Sequence, residues 1–180
     1  KDESDAFALA GRGGGSLVAS VYGEDRDFLV RAVAELGASH GRVLAVGHLF
    51  RFHPVMRELA RVTAGRADRP RGIVGQFVNA ARERVGRDAA HLEFLHLFDL
   101  VDALFGVEPD VVVGRPDGDL TRVSVRYPGP MTATFAMGWS DGEPRRRIEL
   151  VYADGRVVAD FIDNTVTLFG RRNQLERRVC

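Results

Sequence analysis

Apolar residues recur along the chain in two different rhythms. Over residues 24–40, "EDRDFLVRAVAELGASH" places Phe28, Leu29, Val33 and Leu36 at helical spacing. Glu24, Asp25 and Asp27 stand at its start, where the helix dipole favours acidic groups. This predicts an amphipathic helix. On either side, "LVASVYG" and "RVLAVGH" are continuous apolar runs, the mark of strands covered on both faces. A helical context over residues 2–12 comes first, so the order is helix, strand, helix, strand: an α/β pattern. A further helix is expected over residues 54–64, opened by Pro54. A strand in "RGIVGQFVNA", a polar loop over 81–90 and an apolar helix, "HLEFLHLFDLVDALFG", follow.

After Gly106 the rhythm shortens to two. Strand signals come in quick succession: "DVVVGR", "TRVSVRY", "MTATFAMGW", "RRRIELVYA" and "GRVVADFI". In "TRVSVRY", Val123, Val125 and Tyr127 alternate with Arg122, Ser124 and Arg126, which gives one apolar face. Pro128 and Gly129 suit a type II turn, and Asp117-Gly118 and Asp154-Gly155 are hairpin signals. The expected fold class is α+β: a large, mostly antiparallel sheet with helices on one face, preceded by a partial α/β, Rossmann-like segment. Five strands with an apolar face exceed what the few helices can cover, so self-association through the sheet into a homo-oligomer is expected.

Composition narrows the functions. Twenty-five basic and 25 acidic residues cancel, so no overall field attracts nucleic acid or an anionic membrane. Arg145, Arg146 and Arg147 form a local cluster that reads as a solvated strand end. No apolar run approaches the ~20 residues of a membrane span. Cys180 is the only cysteine, which fits a reducing, cytoplasmic setting. The chain begins at Lys1, in a charged helix-like pattern, as the cut edge of something longer would.

Three stretches carry candidate chemistry. "GRGGGS" resembles a phosphate cradle, but its glycines follow a helix and precede a strand, the reverse of a dinucleotide loop; a plain turn is the favoured reading. "GHLFRFHP" holds His48 and Arg51 at the end of a buried strand, where ligands of α/β sheets collect; they are candidate substrate or cofactor-binding residues or simply a polar strand end. In the long helix His96 and Asp99 lie at i and i+3. A carboxylate so placed can accept a ring N–H and raise the basicity of the imidazole, as a general acid/base requires. The alternative is a histidine at the edge of a core, satisfied by a neighbour. No metal site is expected, because the five histidines are scattered without Cys or carboxylate at ligand spacing.

From about residue 43, "RVLAVGHLFRFHP", "EFLHLFDLVDALFG" and "RRRIELVYADGRVVADFIDNTVTLF" resemble, in order and spacing, the Gfo/Idh/MocA oxidoreductases. The resemblance implies a C-terminal domain with a large antiparallel sheet, NAD or NADP as cofactor, and a sugar or polyol as substrate. It implies His96 as the acid/base toward a substrate hydroxyl, with Asp99 in the acidic position that follows. The chain departs from the pattern at Leu92, where many relatives carry a carboxylate. It also lacks the family's Glu-Lys-Pro motif, Lys1 being its only lysine. The chain alone is therefore expected not to bind the dinucleotide. Residues 1–42, with "DESDAFALAGRGGGSLVASVYGEDRDFLVRAVAEL", resemble part of an aldehyde dehydrogenase of the phenylacetate-pathway type, without its catalytic cysteine or glutamate. The resemblances imply a partial α/β segment over 1–46 and a sheet domain over 47–180, with a seam near 38–46. Such a seam belongs to a fusion, a mis-joined gene model or an excised fragment. A non-catalytic interaction module built on the sheet is the alternative to the oxidoreductase.

Overall fold

The structure is a computed structural model that describes residues 5, 8, 26–38, 48–80, 89–171 and 175–179. The chain divides into two compact units, Lys1–Gly47 and His48–Cys180. In the first, helix α1 (Arg26–Ala38) carries Asp27 in its first turn, buries Ala32 and exposes Val30. The expected strands "LVASVYG" and, apart from His48, "RVLAVGH", and the stretch "GRGGGS", lie outside the described residues.

The second unit opens with a 3-10 turn, Leu49–Phe52, followed by helix α2 (Pro54–Ala64). Strand β1 (Gly72–Ala80) leads to helix α3 (Ala89–Phe105). Then come β2 (Val111–Asp117), β3 (Leu120–Arg126), β4 (Thr132–Ser140), β5 (Arg145–Val151), β6 (Gly155–Asp160), β7 (Thr165–Gly170) and β8 (Leu175–Val179). They form one eight-stranded sheet in the order β2-β3-β4-β1-β5-β6-β7-β8. Every neighbouring pair is antiparallel except β1 and β4. The sheet is thus large and mostly antiparallel, as its period-two pattern predicted.

Turn chemistry closes the hairpins. Gly118 between β2 and β3 has φ 63° and Gly129 before β4 has φ 81°, conformations a side chain disfavours. In the β5–β6 connection Tyr152 donates its N–H to Gly155 O at 2.8 Å; in the β6–β7 turn Asn164 is the only described non-glycine residue with positive φ.

Alternation sorts the sheet into faces. One face carries Ile73, Phe77, Val123, Val125, Ala133, Phe135, Met137, Ile148, Leu150, Val157, Ala159 and Val166, all buried and aligned across the strands. Against it pack Val55, Met56 and Leu59 of α2 and Leu97, Leu100 and Val101 of α3. Gly75 sits under α3, where a side chain would meet Leu97 and Phe135. The opposite face carries Arg122, Ser124, Thr134, Gln76, Arg147 and Glu149, with Val74 exposed among them. Among the described residues two helices cover the apolar face, and the open face is mixed, with Val111 and Val113 of β2 also exposed on it. A shallow cavity of about 160 Å3 lined by Val74, Gln76, Arg147 and Glu149 lies on that open face, remote from α3.

Candidate functional site

The 3-10 turn owes its shape to residues that point opposite ways. Phe50 is half-buried against the core, whereas Leu49 and Phe52 are exposed. Arg51 N–H bonds His48 O, and His53 N–H bonds Phe50 O, both at 3.1 Å. His53 then caps α2: its Nδ1 accepts the N–H of Val55 at 3.2 Å, with Pro54 just inside the helix, where its missing N–H costs nothing.

Arg51 reaches from this turn onto α3. Its Nε donates to Asp99 Oδ1 at 2.7 Å and its Nη2 donates to Asp102 Oδ2 at 2.8 Å, while Nη2 also stands 2.6 Å from Asp99 Oδ1 in the ion pair. His48 Nδ1 stands 3.3 Å from the same Asp99 oxygen. The Asp99 side chain is only 3% exposed, whereas that of Asp102 is half exposed. A buried carboxylate needs such partners, because an unpaired charge out of water is costly. The hydrogen bond to Asp99 raises the Arg51 pKa above its ordinary value, and Asp102 adds to the rise. Asp99 Oδ2 is buried and accepts no hydrogen bond.

His96 lies one turn earlier on α3, in a ring cluster. Its imidazole is 4.9 Å from the Phe50 ring, in T-shaped contact at 74°, and 6.4 Å from that of Phe77. Phe50 in turn touches Phe77 at 4.9 Å and Phe161 at 5.3 Å. The structure therefore brings His48, Arg51 and Asp99 into one cluster and sets His96 beside it. The expected Asp99–His96 bond is corrected: the carboxylate bonds Arg51 and contacts His48 instead. The charge-assisted bond from a guanidinium to a carboxylate is among the strong hydrogen bonds. Phe50 and Asp102 are the members that spacing did not single out. The i+3 step from Asp99 to Asp102 was visible; its meaning required Arg51 to be brought alongside.

The described residues do not form a dinucleotide cradle. Among them no glycine-rich loop joins a strand to a helix N-terminus, and α2 begins after a 3-10 turn with its first N–H groups already capped by His53. Among the described residues no three metal-ligating side chains converge, and no helix is long and apolar enough to cross a membrane.

No protein-family model matches the chain. A short stretch, 45 residues or 25% of the chain, is 53% identical to the 3,4-dehydroadipyl-CoA semialdehyde dehydrogenase of Aromatoleum evansii, of which it covers 9%. Solved structures match far more. UDP-N-acetylglucosamine 3-dehydrogenase GnnA from Acidithiobacillus ferrooxidans superposes over 100% of the chain with a TM-score of 0.66 and 24% identity. KijD10, a 3-ketoreductase from Actinomadura kijaniata in complex with NADP, covers 98% with a TM-score of 0.70 and 17% identity. An inositol dehydrogenase homologue from Azotobacter vinelandii, complexed with NAD+, covers 85% with a TM-score of 0.66 and 9% identity. The chain spans 61%, 59% and 47% of those three proteins. At these identities the likeness establishes architecture alone: the chain shares a large, mostly antiparallel sheet fold with these oxidoreductase structures.

Proposed function

We propose that this chain is the substrate-side part of an NAD(P)-dependent oxidoreductase acting on a sugar or polyol, with His96 as its acid/base. The observation that carries the reading is the place of His96. It is a half-buried imidazole on the helix that crosses the sheet, held among rings, beside a cluster that already contains His48 and Arg51. An imidazole titrates near neutrality, so it can accept a hydroxyl proton in the oxidation direction and return it in reduction. His48 and Arg51, with side chains 31% and 40% exposed, offer donors to substrate oxygens. On this reading the redox half of the reaction is supplied by a nucleotide-binding domain. The test is fusion to a matched Rossmann domain. There, His96→Ala should lower turnover by roughly 10²–10⁴-fold with a modest change in melting temperature. Unchanged turnover with a large fall in melting temperature would assign His96 to the core instead.

Self-association through the sheet is the second reading. The open face presents Val74, 41% exposed, inside a border of Gln76, Arg147 and Glu149, the mixed composition of a non-obligate interface. Sedimentation over a wide concentration range tests it, and a strictly monomeric mass removes it.

A further inference from the structure

We infer that Phe50 is the positioning residue of His96, and that Asp99 acts on the imidazole through Arg51 and Phe50 rather than directly. The inference rests on the reading of His96 as the functional imidazole, and it changes how that group is held. Sequence spacing alone would make Asp99 the orienting partner of His96. The geometry assigns the task to the turn.

Three observations carry it. The turn Leu49–Phe52 is fastened to α3 through Arg51, whose Nε donates to Asp99 Oδ1 and whose Nη2 donates to Asp102 while pairing with Asp99. His48, at the start of the turn, contacts the same Asp99 oxygen. Phe50, between these two residues, turns the other way and lays its ring 4.9 Å from His96, one helical turn before Asp99. The turn therefore touches one helix at two successive levels, with charge at the lower and a ring at the upper. Phe50 is itself braced by Phe77 and Phe161, which limits how far it can follow a moving imidazole. A ring packed edge to face restricts the rotation of its neighbour, and the contact is worth more than its buried area alone. The ion pair is short and buried on the Asp99 side, so it ties the turn down more firmly than an exposed pair would.

The test reads the ring itself, on the 180-residue chain, and needs no turnover. The carbon-bound imidazole protons of His96 are assigned in the NMR spectrum by their loss in His96→Gln. In the wild type they should be displaced from the free-imidazole position by the ring current of Phe50. Phe50→Leu should move them toward that position, and Phe50→Tyr should restore them. Asp99→Asn should move them in the same direction as Phe50→Leu although it removes no aromatic ring. The double variant should move them no further than Phe50→Leu alone, because coupled residues are not additive. Should Asp99→Asn fail to fold, as shown by lost methyl-signal dispersion, Arg51→Lys breaks the fork while keeping the charge and carries the same comparison. Unmoved His96 signals in the folded Asp99 or Arg51 variant, with moved signals in Phe50→Leu, would overturn the link through the turn. Unmoved signals in Phe50→Leu would overturn the whole inference. The reading of His96 as the acid/base fails separately, by full turnover of His96→Ala in the fused enzyme.

Discussion

Gly75 and Leu97 meet where α3 crosses the middle of the sheet: a Cβ added to Gly75 would stand 2.7 Å from Leu97 Cδ2. The same atom would lie 2.8 Å from a ring carbon of Phe135. Both neighbours are fully buried, so neither has free space to retreat into. The missing side chain lets the helix lie close enough to the sheet for His96 and Asp99 to meet the turn before α2. Gly75→Ala should therefore destabilise by about 1–3 kcal/mol through overpacking, even though alanine suits a strand no worse than glycine. Denaturant titration with an unchanged m-value checks it.

His53 is a test of local structure. Its ring accepts the Val55 N–H at the start of α2, a job that Ser, Thr, Asp or Asn usually does. Its ring also packs edge-on against Phe161 at 5.2 Å. His53→Ala should cost about 0.5–2 kcal/mol for the cap alone. His53→Asp should recover the cap and lose the ring contact, landing between wild type and alanine. Equal stability of the alanine variant and wild type would show that the cap contributes nothing.

Much of this architecture was legible in the chain. Val123, Val125 and Tyr127 point inward because a strand repeats every two residues, and Gly118 and Gly129 marked their turns through a backbone region that other residues avoid. Strand β8 was not legible, since "LERRV" reads as a charged surface stretch and becomes a strand by pairing with β7. Nor was the placing of β1 between β4 and β5, which is set by packing between distant elements. The Asp99 contact was missed for the same reason. Spacing finds His96 three residues away, whereas Arg51 arrives from 48 positions away and brings a charged, forked donor.

Tyr127 and Tyr152 should make the fold sensitive to alkali. Both are buried, and neither hydroxyl has a hydrogen-bond partner. Burial pushes the Tyr127 phenol up to about 12, and burial, with Asp68 and Asp154 adding and Arg66 opposing, does the same for Tyr152. In the unfolded chain a phenol ionises near 10. The folded state therefore holds its protons longer, and the unfolded state is favoured as they leave. The stability these groups contribute is complete below pH 10 and is lost as pH rises toward about 12. Melting temperature should fall across that window, together with the rise in tyrosinate absorbance. Tyr127→Phe removes a buried hydroxyl that bonds nothing, so it should be neutral or stabilising at pH 7 and should soften the alkaline fall. A clear loss of stability at pH 7 would show that the hydroxyl has a partner, such as a bound water.

The open edge at β2 should govern aggregation. This strand ends the sheet and carries three consecutive exposed valines, Val111, Val112 and Val113. An edge of that kind offers unpaired backbone groups beside an apolar surface, which is a template for another strand. The far half is protected: Pro116 cannot donate to a neighbour, and Arg122 ties Asp117 at 2.6 Å. The near half has no such protection on the strand itself. Val112 faces the helix side in register with Val125, yet remains 50% exposed, so little packing is lost by changing it. Val112→Lys should leave the melting temperature within a degree or two, since exposed substitutions rarely cost more than about 0.5 kcal/mol. It should slow aggregation on heating, as followed by light scattering at matched fractions unfolded. The same variant separates edge pairing from association through the open face. If oligomers at high concentration vanish in Val112→Lys, the edge joins the copies. If they persist there and are lost in Val74→Arg, the face does, and the valine edge is protected by something other than its own sequence.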